Sequence, residues 1–462
     1  MTELFVRQTF ETAGFSPVVA DAYRALLHEA HGVLDAAAVP ATDRRVWIVP
    51  GRIEVLGKHV DYAGGRSLLC AVERGIVVVA RKRSDRNVVL RDARRREALS
   101  LSLDTPSRGS APWAIYPRTV VNRLLRNFGE QMQGAEVALA SNLPPAAGVS
   151  SSSALTVGLT LAFSALFDLP SHPLWGQALH DRADLAGYVG ALENGMDYGV
   201  LTGQKGVGTL GGAQDQTAIL CSERGRLEVY SWAPVRFERS VPWPSTHTFV
   251  VGVSGVVAAK TGAAKERYNR AARTAHHLVQ AWNATGGEQV RTLRDAFLAA
   301  AGDTPFGEVP PALVAAAEAS ATEEFSAGHL VGRLGQFFDE TFVIVPRAAE
   351  ALVANDLAEF GRLVDNSQAG AERALENQIA ETVHLQRYAR DLGATAASAF
   401  GAGFGGAVWA MVPAVDAERF AARWRDKYLR VHPNASHRSV FFRTAPSAPA
   451  LELLDAATHL AE

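Results

Sequence analysis

The stretch LPPAAGVSSSSAL, residues 143–155, decides the fold of this chain. The residues before it, 134–143, have the pattern of a β-strand, and the run that begins at residue 151 has that of a helix. Proline cannot extend a strand, small residues let a ligand approach the backbone, and serine suits a helix N-cap. Because the first turn of a helix has unpaired N–H groups at the positive end of its dipole, this junction predicts an anion-binding turn. The alternative is a capped helix after a tight loop, with no ligand.

A second segment, GRIEVLGKHVDYAGG at residues 51–65, joins a strand to a polar turn. Arg52 and Glu54 alternate with apolar residues, as in a strand. The polar residues of the turn are Lys58, His59, Asp61 and Tyr62. Since the glycines on either side permit sharp turns, these donors and acceptors could bind a polyhydroxylated ligand. The alternative is an ordinary polar loop in which Lys58 pairs with Glu54.

Two further segments are rich in glycine. GTLGGAQDQTAIL, residues 208–220, leads to Asp215, whose carboxylate could accept a proton from a hydroxyl nucleophile or could simply cap or turn the chain. GAGFGG, residues 401–406, leads into an apolar run and not into a helix, so it does not match a dinucleotide-binding fingerprint. The serine turn also lacks the G-x-x-x-x-G-K-[ST] pattern of an ordinary P-loop protein.

Composition narrows the class of protein. The chain has 462 residues, with 46 Lys plus Arg against 48 Asp plus Glu, so no overall field favours nucleic acid or a membrane surface. Two cysteines, Cys70 and Cys221, support neither a disulfide framework nor a zinc site and fit a reducing cytoplasm. No signal peptide is evident, and no apolar run reaches the roughly 18–20 residues of a membrane helix. We therefore predict a cytoplasmic protein with no nucleic-acid or membrane partner.

Strand and helix patterns are mixed along the chain, which predicts an α/β or α+β protein with two domains. The predicted strands cover 47–57, 75–83, 87–92, 134–143, 246–255, 407–413 and 437–443. The predicted helices cover 2–38, a run from 151, much of 257–390, and 414–429. The PWPS stretch at 242–245 is the candidate boundary. The predicted divisions are an N-terminal helical segment, 1–45, a first domain, 46–245, and a second domain, 246–462.

In order and spacing, the four segments resemble the motifs of the GHMP kinases, and within them those of the galactokinases. Residues 51–65 match the signature G-R-[VI]-N-L-I-G-E-H-[TI]-D-Y-x-G-G, and residues 143–154 match the phosphate motif L-P-x-G-[GA]-G-L-S-S-S-A. Residues 212–216 match G-[IG]-x-D-Q, and residues 401–406 match [GS]-x-G-F-G-G. The resemblance implies an α+β, two-domain GHMP kinase fold. Its N-terminal domain would be ribosomal-S5-like and its C-terminal domain ferredoxin-like, with the active site in the cleft between them.

The same resemblance implies ATP- and Mg²⁺-dependent phosphorylation of the anomeric C1 hydroxyl of galactose or a galactose-like sugar, by a monomer or small homo-oligomer. Asp215 resembles the catalytic carboxylate, and Arg52 resembles the partner that stabilises phosphoryl charge. The implied substrate-binding residues are Lys58, His59, Asp61, Gly212 and Tyr268. The implied ATP phosphate-binding residues are Gly148, Ser150, Ser151, Ser152, Ser153 and Gly403. Ser151 and Ser152 are also the implied Mg²⁺ contacts.

One departure from the family pattern bears on the substrate. Galactokinases have Glu where this chain has Lys58, and that Glu is expected to face the C6 hydroxyl of the sugar. An ammonium there would suit an anionic C6, so galacturonate is an alternative substrate. In the other interpretation Glu54, which replaces the family Asn, draws Lys58 into a structural pair and galactose remains the substrate.

Other departures concern loops and class of function. The segment 195–208 is longer than the family connection, which predicts either a substrate-contacting lid or a surface loop. Ala146 replaces a motif glycine and Gln214 a methionine, and neither change removes a charged catalytic group. Two rival functions are a catalytically silent sugar and ATP sensor and a GHMP kinase for another alcohol. The retained Arg52 and Asp215 argue against the first, and the polar turn after Gly57 argues against the second.

Overall fold

The computed structural model describes residues 7–95, 97–105, 112–144, 148–256, 262–302 and 307–453. The strands of these ranges are β1 (Arg7–Gln8), β2 (Arg45–Leu56), β3 (Arg66–Lys82), β4 (Asn87–Asp92), β5 (Glu97–Ser102), β6 (Ala135–Ser141), β7 (Arg226–Ser231), β8 (Arg236–Pro242), β9 (His247–Val253), β10 (Ala396–Phe400), β11 (Ala407–Pro413), β12 (Val440–Thr444) and β13 (Leu451–Leu453). The helices are α1 (Pro17–Ala36), α2 (Ile115–Phe128), α3 (Ser151–Leu166), α4 (Pro173–Ala178), α5 (Arg182–Asn194), α6 (Gln214–Cys221), α7 (Gly262–Asn283), α8 (Leu293–Ala301), α9 (Pro311–Ala319), α10 (Ala327–Phe338), α11 (Val345–Val353), α12 (Leu357–Gly370), α13 (Ala380–Asp391) and α14 (Ala417–Val431). The prediction of a mixed α/β protein is confirmed.

The larger sheet is built around two long apolar strands, β2 and β3. Its order is β1-β13-β2-β3-β6-β4-β5, and β7 and β8 extend it from the first half of β3. Almost every residue of β2 and β3 is buried because α1 covers one face of the sheet and α3 the other. Burial on both faces explains the continuous apolar runs of these strands, which do not alternate as a half-exposed strand would.

The smaller sheet has four antiparallel strands in the order β10-β11-β9-β12. Helices precede β10 and lie between β11 and β12, which gives the βαββαβ order of a ferredoxin-like unit. Helices α13 and α14 bury one face of this sheet, with Leu385 and Trp424 at its centre. The other face contributes Phe249 and Trp409 to the main core of the larger sheet. One hydrophobic core therefore joins the two sheets.

Local sequence explains the elements that carry the site. Helix α1 begins where Ser16 accepts a hydrogen bond from the amide of Val19 and Pro17 takes the first helical position. The helix predicted over 2–38 is therefore right for 17–36 only, because residues 7–8 form β1 instead and residues 1–6 lie outside the described ranges. None of the described helices combines the length and the apolar character that crossing a bilayer requires.

The predicted domain limits, 1–45, 46–245 and 246–462, remain a proposal. The PWPS stretch lies between β8 of the larger sheet and β9 of the smaller one, which supports a boundary there. However, β13, at residues 451–453, returns to the larger sheet and pairs with β2. The end of the second predicted domain therefore completes the sheet of the first.

Candidate active site

A cavity lies where β2, the turn after it, α5, α6, α7 and the glycine loop after β10 meet, with about 540 Å³ of empty space including solvent at its mouth. It brings together residues from all four sequence segments. Among its wall residues are Arg52, Glu54, His59, Asp61, Ser153, Glu193, Gly212, Asp215, Tyr268 and Gly401. Segments that are far apart in the sequence thus form one polar site.

Asp215 and Arg52 form the centre of this cavity. Arg52 Nε donates to Asp215 Oδ1 over 2.7 Å, and Arg52 Nη1 donates to the carbonyl oxygen of Gly148. The guanidinium also lies 5.7 Å from the centre of the Phe400 ring. Only 4% of the Arg52 side chain and 16% of the Asp215 side chain are exposed, so the pair is held in a fixed geometry. The predicted partnership of these two residues agrees with these contacts.

The start of α3 reaches the same aspartate. Ser150, the N-cap residue, has a left-handed backbone with φ of 58° and makes no side-chain cap. Its hydroxyl instead donates to Asp215 Oδ2 over 2.6 Å, and the hydroxyl of Ser153 lies 3.3 Å from the same oxygen. Ser151 and Ser152 are half-buried in the first turn, and their hydroxyls bond to no other described residue. The helix start therefore offers N–H groups and two hydroxyls to a ligand.

Glycine is required where the phosphate turn meets the glycine loop. Gly148 has φ of 78°, and a side chain there would lie 3.3 Å from the carbonyl oxygen of Phe400. Gly401 has φ of 81°, and a side chain would lie 3.2 Å from the carbonyl oxygen of Gly148. Gly403, which was assigned to the phosphate site, packs instead against Asn377, whose carbonyl oxygen would lie 2.4 Å from its Cβ. The close approach to the turn is made by Gly401, and the assignment of Gly403 to the phosphate site remains a prediction.

The polar turn after β2 lies beside the central pair. His59 has φ of 57°, and its ring nitrogens lie 3.0 Å from the Tyr62 hydroxyl and 3.2 Å from the carbonyl oxygen of Ala402. The His59 ring also packs against Tyr268, with 5.3 Å between ring centres. These contacts place His59 and Tyr268 in one wall of the cavity, next to Asp61.

Asp61 is tied to the segment that carries Asp215. Its Oδ2 accepts a hydrogen bond of 3.1 Å from the amide of Gly212, and any side chain on Gly212 would lie 2.6 Å from that oxygen. Burial, together with the nearby charge of Asp215, raises the pKa of Asp61 to about 6. The backbone amides of Tyr62, Gln214 and Gly212 oppose this shift. Asp61 and Gly212 both line the cavity, and their role in binding substrate remains a prediction.

Lys58 does not face the cavity. Its ammonium donates to the Ser367 hydroxyl over 2.7 Å, and Ser367 in turn donates to Glu340. Glu340 also accepts a 2.9 Å hydrogen bond from the amide of Gly57, and Lys58 is only 2% exposed. The structure therefore corrects the assignment of Lys58 to the substrate wall. Among the described residues no ion pair joins it to Glu54 either, although burial lowers the pKa of Lys58 and the charges of both Glu340 and Glu54 oppose that shift.

Glu54 and Glu193 are the cavity carboxyls that the motif-based assignment missed. Glu54 is 4% exposed, and its Oε1 has no hydrogen-bond partner among the described residues. Burial raises the pKa of Glu54 to about 8; Arg52 and Lys58 oppose this shift, and Asp215 and Asp61 add to it. Glu193 accepts hydrogen bonds from Thr156 (2.6 Å) and Gln216 (2.9 Å). No local pattern in α5 marks Glu193 as a site residue.

The long segment 195–208 lies beside the cavity and not in its wall. Its flanking residues, Asn194 and Thr209, line the cavity, but the segment itself folds back on α5 through a hydrogen bond from the Val207 amide to the Glu193 carbonyl. Arg123 of α2 donates to the carbonyl oxygen of Leu201 over 3.2 Å. This favours the surface-loop interpretation. Ala146 lies outside the described residues.

The residues at the start of α3 fit a magnesium–nucleotide complex. Mg²⁺ bound with nucleotide phosphates needs only one or two protein ligands, since phosphate oxygens and water complete its shell. No group of three or more acidic, histidine or cysteine side chains among the described residues could hold a metal ion by itself. Binding of Mg²⁺ together with nucleotide phosphates therefore suits this site, where the hydroxyls of Ser151 and Ser152 and the carboxylate of Glu193 could serve as its few protein ligands.

Three family models match the chain. The galactokinase galactose-binding signature matches residues 38–82, and the N-terminal and C-terminal domains of the GHMP kinases match residues 116–223 and 348–430. Together the three matches cover about half of the chain.

Curated relatives match over most of their length. A galactokinase from Roseiflexus sp. (strain RS-1) is 28% identical over 372 residues, which are 80% of this chain and 84% of that protein. A galactokinase from Actinobacillus pleuropneumoniae serotype 5b (strain L20) is 27% identical over 389 residues, 82% of this chain and 88% of the relative.

The crystal structure of Lactococcus lactis galactokinase complexed with galactose has the same fold. It superposes with a TM-score of 0.72 at 22% identity and covers 91% of this chain and 97% of that one. A D-glycero-D-manno-heptose 1-phosphate kinase from Bacteriodes thetaiotaomicron matches more distantly, with a TM-score of 0.51 at 13% identity over 88% of this chain and 98% of that one.

Proposed function

The chain belongs to the galactokinase family of the GHMP kinases, and from this premise we propose that it transfers the γ-phosphoryl group of ATP to the C1 hydroxyl of galactose or a galactose-like neutral sugar. The observation that carries the proposal is the position of Asp215. One of its oxygens bonds to Arg52 of the sugar-signature strand, and the other bonds to Ser150 at the helix start that suits ATP phosphates. A sugar hydroxyl beside Asp215 would therefore face the phosphates of ATP bound at the helix start.

Phosphoryl transfer asks mainly for alignment and charge neutralisation. Asp215 would orient the attacking C1 hydroxyl and receive its proton as the bond to phosphorus forms and the bond to the ADP oxygen breaks. Arg52 would stabilise the charge that develops on the transferred group, and it needs no rearrangement because Asp215 and Gly148 already fix it. Ser150 and Ser153 hold the aspartate from the other side.

ATP phosphates would bind at the start of α3, where Gly148 and the serines 150–153 present amides and hydroxyls. Mg²⁺, when bound with ATP, supplies positive charge that neutralises the phosphate oxygens. Ser151 and Ser152 of the first turn of α3 are the residues proposed to hold it, with Glu193 of the cavity wall as a candidate carboxylate ligand.

The charges of the cavity support a neutral sugar over galacturonate. Its wall contains four carboxyl groups and the single guanidinium of Arg52. The carboxyl groups belong to Glu54, Asp61, Glu193 and Asp215. The raised pKa of Glu54 keeps that carboxyl mainly neutral near pH 7. A sugar carboxylate would still add negative charge beside the others, whereas neutral hydroxyls would hydrogen-bond to these oxygens. The Lys58 ammonium, which motivated the galacturonate alternative, is bonded to Ser367.

The test is a substrate panel with purified protein, ATP and Mg²⁺. We expect ADP release with galactose and a phosphorus NMR signal of an anomeric sugar phosphate, with little turnover of galacturonate. Turnover of galacturonate but not of galactose would reverse the choice of substrate. Binding of ATP and galactose without any turnover would instead support the sensor.

A further inference from the structure

A second cavity, with about 440 Å³ of empty space including solvent at its mouth, shares no wall residue with the first. It lies next to the polar turn after β2, residues 57–65, which we call the sugar turn. It is bounded by α7, α10, the chain around Glu376 and the tip of the glycine loop at Phe404. Its charged and aromatic wall residues are Arg267, Arg270, His329, Arg333, Glu376 and Phe404. Three guanidinium groups thus face one carboxylate across a cavity that the proposed kinase reaction does not use.

Arg333 is the most unusual of these residues. Only 1% of it is exposed, yet none of the ion pairs between described residues involves its guanidinium. Its guanidinium hydrogen-bonds to neutral groups, namely the carbonyl oxygen of His59, the amide oxygen of Gln336 and the side chain of Tyr62. A buried charge without a counter-ion is costly, so this site favours an anion.

The two other arginines are held at the same cavity by aromatic rings. The Arg267 guanidinium lies 4.5 Å from the centre of the Phe404 ring, and that of Arg270 lies 5.5 Å from the Phe325 ring. Arg270 also donates to the carbonyl oxygen of Glu324 over 2.9 Å. Stacking restricts both side chains while leaving N–H donors that can receive an oxyanion.

We propose that this cavity binds a small metabolite through its phosphate or carboxylate group, as a site separate from those for ATP and sugar. Planar guanidinium groups bind either oxyanion in a bidentate manner, and the cavity has room for more than the bare ion. Arg333 connects the site to the sugar turn, because it donates to the His59 carbonyl and its neighbour Gln336 donates to that of Lys58 over 3.1 Å. The bound anion would neutralise the residue that supports this turn.

Titration calorimetry on the full chain tests the proposal. The first cavity is saturated with galactose and a non-hydrolysable ATP analogue, and inorganic phosphate or malonate is then added at constant ionic strength. We expect a further saturable site, and the stronger of the two anions identifies the preferred oxyanion. Absence of saturable binding of either anion to the wild type overturns the proposal.

The matched variants locate the site. Arg267→Gln combined with Arg270→Gln should weaken binding at least tenfold, while circular dichroism stays unchanged because neither residue holds the sugar turn. Arg423→Gln combined with Arg425→Gln removes the same charge from the exposed face of α14 and should bind as the wild type does. Equal binding by the cavity variant and this control would place the anion elsewhere and refute the site.

Discussion

Asp215 contacts three segments whose motifs lie far apart in the sequence. Arg52 and Ser150 fix its two oxygens, and Gly212, three residues before it, binds Asp61 of the sugar turn. The side chain is therefore oriented before any substrate arrives. This preorganisation suits a residue that aligns a hydroxyl, because alignment contributes most when the protein pays no ordering cost during the reaction.

Replacing Asp215 by Asn should lower kcat about 10²- to 10⁴-fold, the usual contribution of a positioned acid or base. The amide keeps the size of the side chain but cannot accept the proton. Initial-rate kinetics with galactose and ATP measure the effect, and calorimetry should find both ligands still bound. A kcat within threefold of the wild type would mean that another group receives the proton.

Glu54 predicts an unusual pH dependence of stability. Its ordinary pKa is 4.5, and burial raises the pKa to about 8 in the folded chain. Below pH 4.5 the carboxyl is protonated in both states; as the pH rises towards 8 the unfolded chain alone loses the proton, so folding loses stability.

Glu54→Gln removes this loss. The melting temperature of the variant should therefore match that of the wild type near pH 4.5 and exceed it increasingly up to about pH 8, as calorimetric scans at each pH would show. A constant difference across the range would contradict the shifted pKa.

Single residues also show where sequence reasoning stops. The family resemblance of the motifs predicted that Arg52, Asp61 and Asp215 share one site, and all three line the same cavity. The motifs misplaced Lys58, whose hydrogen-bond partner Ser367 lies far away in the sequence and carries no motif. The unpaired oxygen of Glu54 depends likewise on tertiary burial, which no local pattern reveals.

At the scale of elements, the turn after β2 is fastened to α12 by a buried polar chain. Lys58 bonds to Ser367 of α12, and Ser367 bonds to Glu340, which also holds the amide of Gly57. Removing one member of such a network leaves a buried charge without its partner.

Lys58→Met should therefore lower the free energy of unfolding by about 3–5 kcal/mol, as for other broken buried pairs. Adding Glu340→Gln should recover part of the loss. The matched control is Lys427→Met, which breaks a surface pair with Asp391 and should cost at most about 1 kcal/mol. Urea unfolding measures all three; equal losses for Lys58→Met and the control would contradict a buried network.

Elements with strong local signals were predictable, and short ones were not. Long apolar strands such as β3, and helix α3, which begins in the serine run, agree with the sequence patterns. β1 has two residues and β13 has three, too few for any periodicity. Their existence depends on pairing across more than 400 positions, which a single sequence does not display.

At the scale of the whole molecule, β13 joins the end of the described chain to its beginning. Leu451 and Leu453 are buried beside β2, and Glu452 accepts two hydrogen bonds from Arg45, of 2.6 and 2.8 Å. The two leucines pack in the hydrophobic cluster between α1 and the larger sheet, so loss of this strand would open that cluster.

A chain that stops after Ala448 should lose about 3–6 kcal/mol from the two leucines alone. A chain that stops after Leu453 keeps β13 and is the matched control. Thermal unfolding should show one cooperative transition for both, at a clearly lower temperature for the shorter chain. Equal melting temperatures would mean that β13 contributes little to the sheet.

The pairing of β1 with β13 also constrains synthesis. Among the described strands, β1 has β13 as its one neighbour, and β13 separates it from β2. On the ribosome, residues 7–8 must therefore wait until residue 453 has emerged, and the edge of β2 stays open in the nascent chain during that time. An open edge invites pairing with other chains, so chaperone cover during translation should matter more for this protein than its final stability suggests.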